Sequence, residues 1–402
     1  MKVSRIGTLI LMSVVLSSVL FAGEKEEMSV FHDKGYLVAA SEDGQTKYWI
    51  DGRVMLDYGN ISSDIDLPNG WETRRARFAL KSVLRGQWAG EIDMDIADNE
   101  IEIKDFWMAY IGFENTIIKI GNHKVPGSME DLTTSRWISF MERALPNAFT
   151  IGRRIGLSYS KWGDHYMFMG GFYGQEPGTG EEEGEDESGG YGFRAAFAPI
   201  NDGDRVVHFG LSYTNFEPDA GEDNKIRIRG RELHLTERLL STGKVKYVDD
   251  YTFTGLEAAF QMGEFSAQAE YLQADLNRFD GDGDASYSGY YAYVSWFAFG
   301  AKRHYDMDSG EFGAIRTSNK KGALELLLRV SNLDLNDFDA GVEGGSSDSI
   351  TFGMNWYAND NVRIMFNYIM ANNDEYADAD GDFEGFDNYD TDIIALRFQY
   401  LF

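Results

Sequence analysis

The last eleven residues, Asp392 to Phe402, read D-I-I-A-L-R-F-Q-Y-L-F. Counting back in twos from Phe402 gives Tyr400, Phe398, Leu396 and Ile394, while Leu401, Gln399, Arg397 and Ala395 carry the polar atoms. Period-two alternation with one apolar face is the mark of a β-strand, and here it runs to the last residue. An amphipathic edge strand of a soluble sandwich would show the same alternation, so the other end of the chain has to discriminate.

At that end Lys2 and Arg5 are followed by an apolar run at 6–22 and then by Glu24-Lys25-Glu26-Glu27. A charged start, a short apolar stretch and small residues at Ala22-Gly23 predict a secretory signal peptide over residues 1–22. No other segment approaches ~18 consecutive apolar residues, the length a spanning helix needs. An exported chain that crosses a membrane without helices must close its strands into a barrel to satisfy its backbone. A terminal Phe after alternating aromatics also resembles the closing strand of bacterial outer-membrane β-barrels. The expected location is therefore the bacterial outer membrane. Cysteine is absent, as suits a chain that needs no disulfide framework.

Composition agrees. Of 402 residues, 14% are aromatic, 44 are Gly and only 6 are Pro. Aromatics suit interfacial girdles and Gly suits tight turns. The mean hydropathy is negative, which a barrel tolerates because only alternate strand residues face lipid. The formal net charge of −29 argues against nucleic acid as a partner. The acids concentrate at 181–187, 280–284 and 374–390, between strand-like runs, where charge is solvated.

Sixteen alternating segments of roughly ten residues follow, the length of a tilted membrane strand. They lie at 46–58, 72–84, 86–97, 103–113, 115–124, 152–162, 165–175, 190–200, 205–217, 251–262, 264–276, 287–299, 322–336, 347–358, 361–372 and 391–402. The reading is an all-β transmembrane antiparallel barrel over residues 46–402. Residues 23–45 are expected to form a periplasmic or inter-subunit element. Alternate connections are short, and the others are long and hold the acidic clusters, which sets the short turns inside and the long loops outside. The segment 300–321 breaks that rule, being long on the short side. Two outer loops stand apart. Residues 125–151 contain M-E-D-L-T-T-S-R-W-I-S-F-M-E-R-A-L-P (129–146), predicted to be a short amphipathic helix. Residues 218–250 are basic, with Lys225, Arg227, Arg229, Arg231 and Arg238. Such loops are long enough to fold inward and narrow a pore.

Strand parity gives a lumen inventory. Tyr48, Ile50, Val54 and Leu56 face lipid, so Asp51, Arg53 and Asp57 face water. On the next strand Arg75, Arg77 and Lys81 point in, and strict parity puts Arg74 outside. Glu91, Asp93 and Asp95 point in, as do Arg194, Arg329, Arg363, Arg397, Glu257, Glu270 and Glu325. Arginine offers a fixed fork of donors for phosphate or carboxylate oxygens and stays charged at physiological pH. A ring of such side chains at a constriction favours anions. The competing use of each Arg is to pair with a lumen acid and order the wall.

Several stretches in order resemble the phosphate-selective porin O and P family over the chain from Gly52 onward. They are Gly52-Arg53 with Asp57-Tyr58, Arg74-Arg75-Ala76, S-R-W-I-S-F-M-E-R (135–143), V-V-H-F-G-L-S-Y (206–213), G-L-E-A-A-F-Q-M-G-E-F-S-A-Q-A-E-Y (255–271), Gly289-Tyr290-Tyr291 and G-M-N-W-Y-A-N (353–359). The resemblance implies a trimeric, passive, sixteen-stranded pore with an in-folded third loop and an arginine ladder that conducts phosphate or polyphosphate. Carried over by position, Arg53, Arg74, Arg75, Arg143, Arg227 and Arg229 become ladder or constriction members, and parity adds Arg77. Ser135 and Arg136 take the positions where the family has a serine and a lysine. Where a further lysine is expected before that serine, this chain has Glu130-Asp131-Leu132, and Asp131 would repel phosphate there. The implied partners are outer-membrane lipid and lipopolysaccharide, small anionic solutes and two further copies in a homotrimer.

Other classes fit less well. An enzymatic barrel would need a Ser–His pair on the lipid face, and His208 is turned inward by parity, so no catalytic role is expected. No cofactor is expected beyond loose Ca2+ or Mg2+ at the acidic outer loops, where neither 280–284 nor 378–384 has the spacing with a closing Glu that a chelating EF-hand loop requires. The remaining alternative is a general or cation-leaning diffusion porin, which the acidic outer loops would favour.

Overall fold

The computed structural model describes residues 28–33, 36–97, 100–177, 189–218, 224–280, 283–317, 319–383 and 387–402. The expected signal peptide and the acidic run at 181–187 lie outside the described residues. A hairpin comes first, β1 (Met28–Asp33) with β2 (Tyr36–Ser41), and β2 pairs with the start of β3 (Lys47–Ser63). The wall continues through β4 (Gly70–Leu84), β5 (Trp88–Asp95), β6 (Glu102–Tyr110), β7 (Thr116–Lys124), β8 (Arg153–Trp162), β9 (Tyr166–Tyr173), β10 (Gly189–Asn201) and β11 (Arg205–Glu217). Two short strands, β12 (Arg229–Gly230) and β13 (Leu240–Ser241), pair inside the loop that precedes β14 (Val248–Met262). Next come β15 (Phe265–Arg278) and β16 (Ala285–Phe299), then a two-residue hairpin of β17 (Tyr305–Asp306) and β18 (Glu311–Phe312). The last four wall strands are β19 (Ala323–Asp337), β20 (Val342–Tyr357), β21 (Val362–Asn373) and β22 (Tyr389–Leu401).

Every wall strand pairs antiparallel with its sequence neighbour, and β22 returns to pair with β3, which closes a sixteen-stranded barrel among the described residues. All sixteen strands read from the alternation are present. The seam is built from the C-terminal motif: Leu401 sits opposite Arg53, Phe398 opposite Leu56 and Arg397 opposite Asp57. Gly52 N donates to Phe402 O (2.7 Å), and Phe402 N donates back to Gly52 O (3.1 Å). The Phe402 ring lies where a Cβ on residue 52 would be, so only glycine leaves room. Gly52→Val should therefore block closure, because the penalty falls on the seam that joins the first strand to the last. A heat-modifiable folded band on semi-native electrophoresis should fall several-fold relative to wild type; an unchanged band would refute the steric argument.

Parity holds along most of the wall: Phe398 is 41% exposed to the outside and Arg397 is fully buried. Arg74 is the exception. Met55 pairs with Arg75 while Leu56 pairs with Thr73, so Arg74 is the extra residue of a β-bulge. The bulge turns Arg74 and Arg75 to the same acid, against the outward assignment from strict alternation.

The inward set is also less polar than alternation suggested. On β14–β16 and β19–β22, inward Phe253, Leu272, Leu276, Leu333, Met365 and Ile393 pack with Ile228, Leu233, Leu240 and Val245 of the loop before β14. Met141, Leu145 and Phe149 of the third loop join the same cluster. Near the short-turn end, Met167, Ala196, Val206 and Ala259 pack with Tyr305, Met307 and Phe312. This accounts for the long 300–322 connection, whose Ser309 and Gly310 carbonyls accept from inward Arg194 at 2.7 Å each. Each buried apolar side chain contributes about 1.5–3 kcal/mol, so these segments pack against the wall as core. One further correction concerns the 338–341 connection, which is short at the long-loop end because β20 starts five residues early. Gly344 and Gly345 at its start hid the period.

Candidate functional site

Packing on the β9–β22 side leaves open space along β3–β8. A cavity of about 680 Å³ runs there between the wall, the third loop and the β17–β18 hairpin. Nine Lys/Arg and seven Asp/Glu line it, so the lining carries a small cationic excess. Arg53, Arg75, Arg77, Asp131, Ser135, Arg136 and Arg143 all belong to that lining. Arg74, Arg227 and Arg229 do not. Arg227 pairs with Asp380 at 2.8 Å, and Arg229 lies in β12 opposite Ser241.

The third loop is held by the wall rather than by its own helix. The helix expected over 129–146 is reduced to one turn, α1 (Met129–Leu132), and a 3-10 turn at Leu145–Phe149. Ser128 Oγ caps α1 by accepting from Asp131 N at 2.9 Å. The Met129 and Glu130 amides donate to the Glu270 carboxylate of β15 at 2.5 and 3.3 Å. Beyond Thr133 the backbone groups a helix would use internally go to wall side chains. Arg363 donates to Ile138 O, Asn355 to Ser139 O and Arg329 to Glu142 O, while Met141 N donates to Asn367 Oδ1. A long helix cannot form once these partners hold its carbonyls.

Four acids decide what the arginines can do. Glu142 accepts from Arg74 at 2.7 and 2.9 Å and from Arg397 at 2.7 Å, with Arg75 at 3.8 Å. Arg397 also grips Asp57 at 2.6 and 2.7 Å. Burial opposes ionisation of Glu142, but Arg74, Arg75 and Arg397 overcome it and hold its carboxyl well below the usual range. Asp51 takes Arg136 at 2.6 Å and Lys81 at 3.1 Å. Asp131 lies 3.4 Å from Lys124 and 3.8 Å from Arg143. Burial works against its charge too, yet these two cations hold its carboxyl below the ordinary value. Arg143 itself is spent on the loop backbone, donating to the carbonyls of Glu130, Asp131 and Thr133 at 2.8, 2.9 and 2.7 Å.

The remaining cations sit on the wall. Arg53 reaches Thr134 Oγ1 at 3.2 Å and Asp93 at 3.8 Å, and Arg77 reaches Asp95 at 3.0 Å. Ser135 is buried and its Oγ has no hydrogen-bond partner among the described residues. Glu91, Asp93 and Asp105 come within 4.8 Å of one another, spacing that could suit a metal. Each faces a cation instead: Lys81 at 3.3 Å, Arg77 at 3.6 Å and Arg153 at 2.6 Å respectively. This is an ion-pair network of mixed sign. Lys119, Lys124 and Arg153 were missed in the sequence, although Lys119 falls on the inward parity of β7. Glu142 was quoted in S-R-W-I-S-F-M-E-R, but nothing local marks it as the partner of three arginines.

The family model described as phosphate-selective porin O and P matches residues 49–402. Porin O of Pseudomonas aeruginosa is 26% identical over 416 residues, spanning 93% of this chain and 92% of that protein. Among solved structures, the anion-selective porin of Comamonas acidovorans aligns with a TM-score of 0.57 and 14% identity over 89% of this chain and all of that one. The trimer form of OmpT, an outer-membrane protein of Vibrio cholerae, gives 0.57 at 10% identity over 89% of this chain and 99% of that one.

Proposed function

We infer function from the premise that this chain belongs to the phosphate-selective porin O and P family. It is a porin of the bacterial outer membrane, a water-filled diffusion channel and not an enzyme. The reading we favour is anion preference, with phosphate or polyphosphate passing along the β3–β8 wall. The observation that carries it is the state of Asp131: two cations neutralise the acid that would otherwise repel phosphate. Arg53, Arg75, Arg77, Ser135 and Arg136 then form the anion-binding face, while Arg74 and Arg143 hold the loop that narrows the passage. Contacts from the third loop to β15, β20, β21 and β22 support its role as an inward-folded constriction. Arg227 and Arg229 belong in this reading to the approach, above the constriction. Residues 1–22 serve as the export signal, the hairpin within 23–45 lies at the short-turn, periplasmic end, and the working unit is a homotrimer in lipid and lipopolysaccharide.

The test is the reversal potential of purified protein in a planar bilayer under a KCl gradient, with and without phosphate. A chloride-leaning potential and a current blocked by phosphate would support the reading. A potassium-leaning potential indifferent to phosphate would favour a cation-leaning diffusion porin, for which the acidic outer loops speak. Selectivity should also depend on pH. Burial pushes the Glu311 carboxyl up to about 7, against the pull of Arg194 and Lys124. Glu311 lines the cavity, so raising pH from 6 to 8 adds a negative charge there. The chloride preference should decline over that window and decline less in Glu311→Gln; an equal decline in the variant would remove Glu311 as the cause.

A further inference from the structure

Four neighbouring strands present one row of side chains near the short-turn exit. Trp49 of β3 pairs with Lys81 of β4, Lys81 with Glu91 of β5, and Glu91 with Trp107 of β6. All four line the cavity. Strands lie about 4.8 Å apart, so two indoles bracket a cation and a carboxylate over roughly 15 Å. Both indoles are half-buried, leaving part of each ring to the aqueous space. Lys119 Nζ stands 4.3 Å from the Trp107 ring centroid and lines the same cavity. Gly121, opposite Trp107 on β7, has a φ of +125° and no room for a Cβ against residue 107. The glycine lets the indole seat where it does.

Inorganic phosphate has no use for this row. It is acceptor-rich and has no apolar face, so the indoles add nothing to its binding and Glu91 repels it. Tryptophan that serves only to anchor a barrel faces the lipid interface, whereas these two face water inside. A solute that uses every member of the row has a flat C–H face for an indole, an anionic group for Lys81 or Lys119, and hydroxyl donors for Glu91. We propose that the row is a subsite for a phosphorylated monosaccharide, so that the channel passes sugar phosphates as well as phosphate itself. The sugar stacks on Trp107 or Trp49, its phosphate takes the lysines, and its hydroxyls donate to Glu91. A cavity of about 680 Å³ accepts a solute of that size. This inference rests on the anion-channel reading above and adds the organic part of the solute.

The experiment is blockade of KCl current in planar bilayers by glucose 6-phosphate, inorganic phosphate and glucose. It compares wild type with Trp107→Ala, Trp107→Phe and Trp49→Ala. In wild type, glucose 6-phosphate should half-block at a concentration at least threefold below that of phosphate, and glucose should block weakly. The ratio of the two half-blocking concentrations should shift fivefold or more toward phosphate in Trp107→Ala. Trp107→Phe keeps an aromatic face and should restore most of it, which separates stacking from a folding defect. If glucose 6-phosphate blocks no better than phosphate, or the ratio ignores both tryptophans, the subsite does not exist although the phosphate reading stands. If neither anion blocks wild type, the anion reading fails and this inference fails with it.

Discussion

Glu142→Gln should raise the chloride preference of the channel and lower its heat stability together. The carboxylate is shared by Arg74, Arg75 and Arg397, and its negative charge offsets that of Arg75 beside the cavity. Removing its charge leaves three guanidiniums with Asp57 alone among the acids that pair with them. Breaking one member of a buried ion-pair network typically costs about 3–5 kcal/mol, because the surviving charges are left uncompensated. That loss falls on the third loop, which Glu142 ties to β4 and β22. The expected result is a several-fold rise in the chloride-to-potassium permeability ratio, with the folded barrel melting at lower temperature on semi-native electrophoresis. A variant with an unchanged reversal potential would show that Glu142 only organises structure.

Asp131→Asn should lower the half-blocking concentration of phosphate by about tenfold, equivalent to about 1.4 kcal/mol. Lys124 and Arg143 now divide their charge with Asp131, and an amide of the same shape keeps the loop while releasing both. Arg143 retains its three backbone acceptors, so the loop should keep its position. Concentration–block curves for phosphate in the two proteins decide the matter. Equal curves would mean that phosphate does not pass close to Asp131, and the route along the β3–β8 wall would need redrawing.

Much of this was legible in the chain because a strand's side-chain period is fixed at two. Each wall strand is a local pattern, and sixteen of them, with alternating short and long connections, leave little choice of architecture. Parity assigned Asp51, Arg53, Arg75, Arg77 and Arg397 correctly for the same reason. It failed at Arg74, where one inserted residue shifts the register and no sequence signal announces a bulge. It also failed to show which stretch of the lumen stays wet. Leu333 and Met365 lie on the inward parity as surely as Arg53 does, yet they meet loop side chains instead of water.

The sequence by itself determined that this is an outer-membrane-type barrel and, outside the bulge at Arg74, which wall residues turn inward, since both follow from alternation and chain length. Only the tertiary structure decided which charges remain available to a solute. Asp131 reads in sequence as a barrier to anions, and in space it is answered by Lys124 seven residues away and Arg143 twelve residues away. Glu142 reads as an ordinary loop acid and meets Arg397 across 255 residues. Electrostatic partnership depends on distance in space and on burial, and a closed barrel brings its first and last strands together. Those pairings therefore emerge only when the wall closes and the loops pack against it.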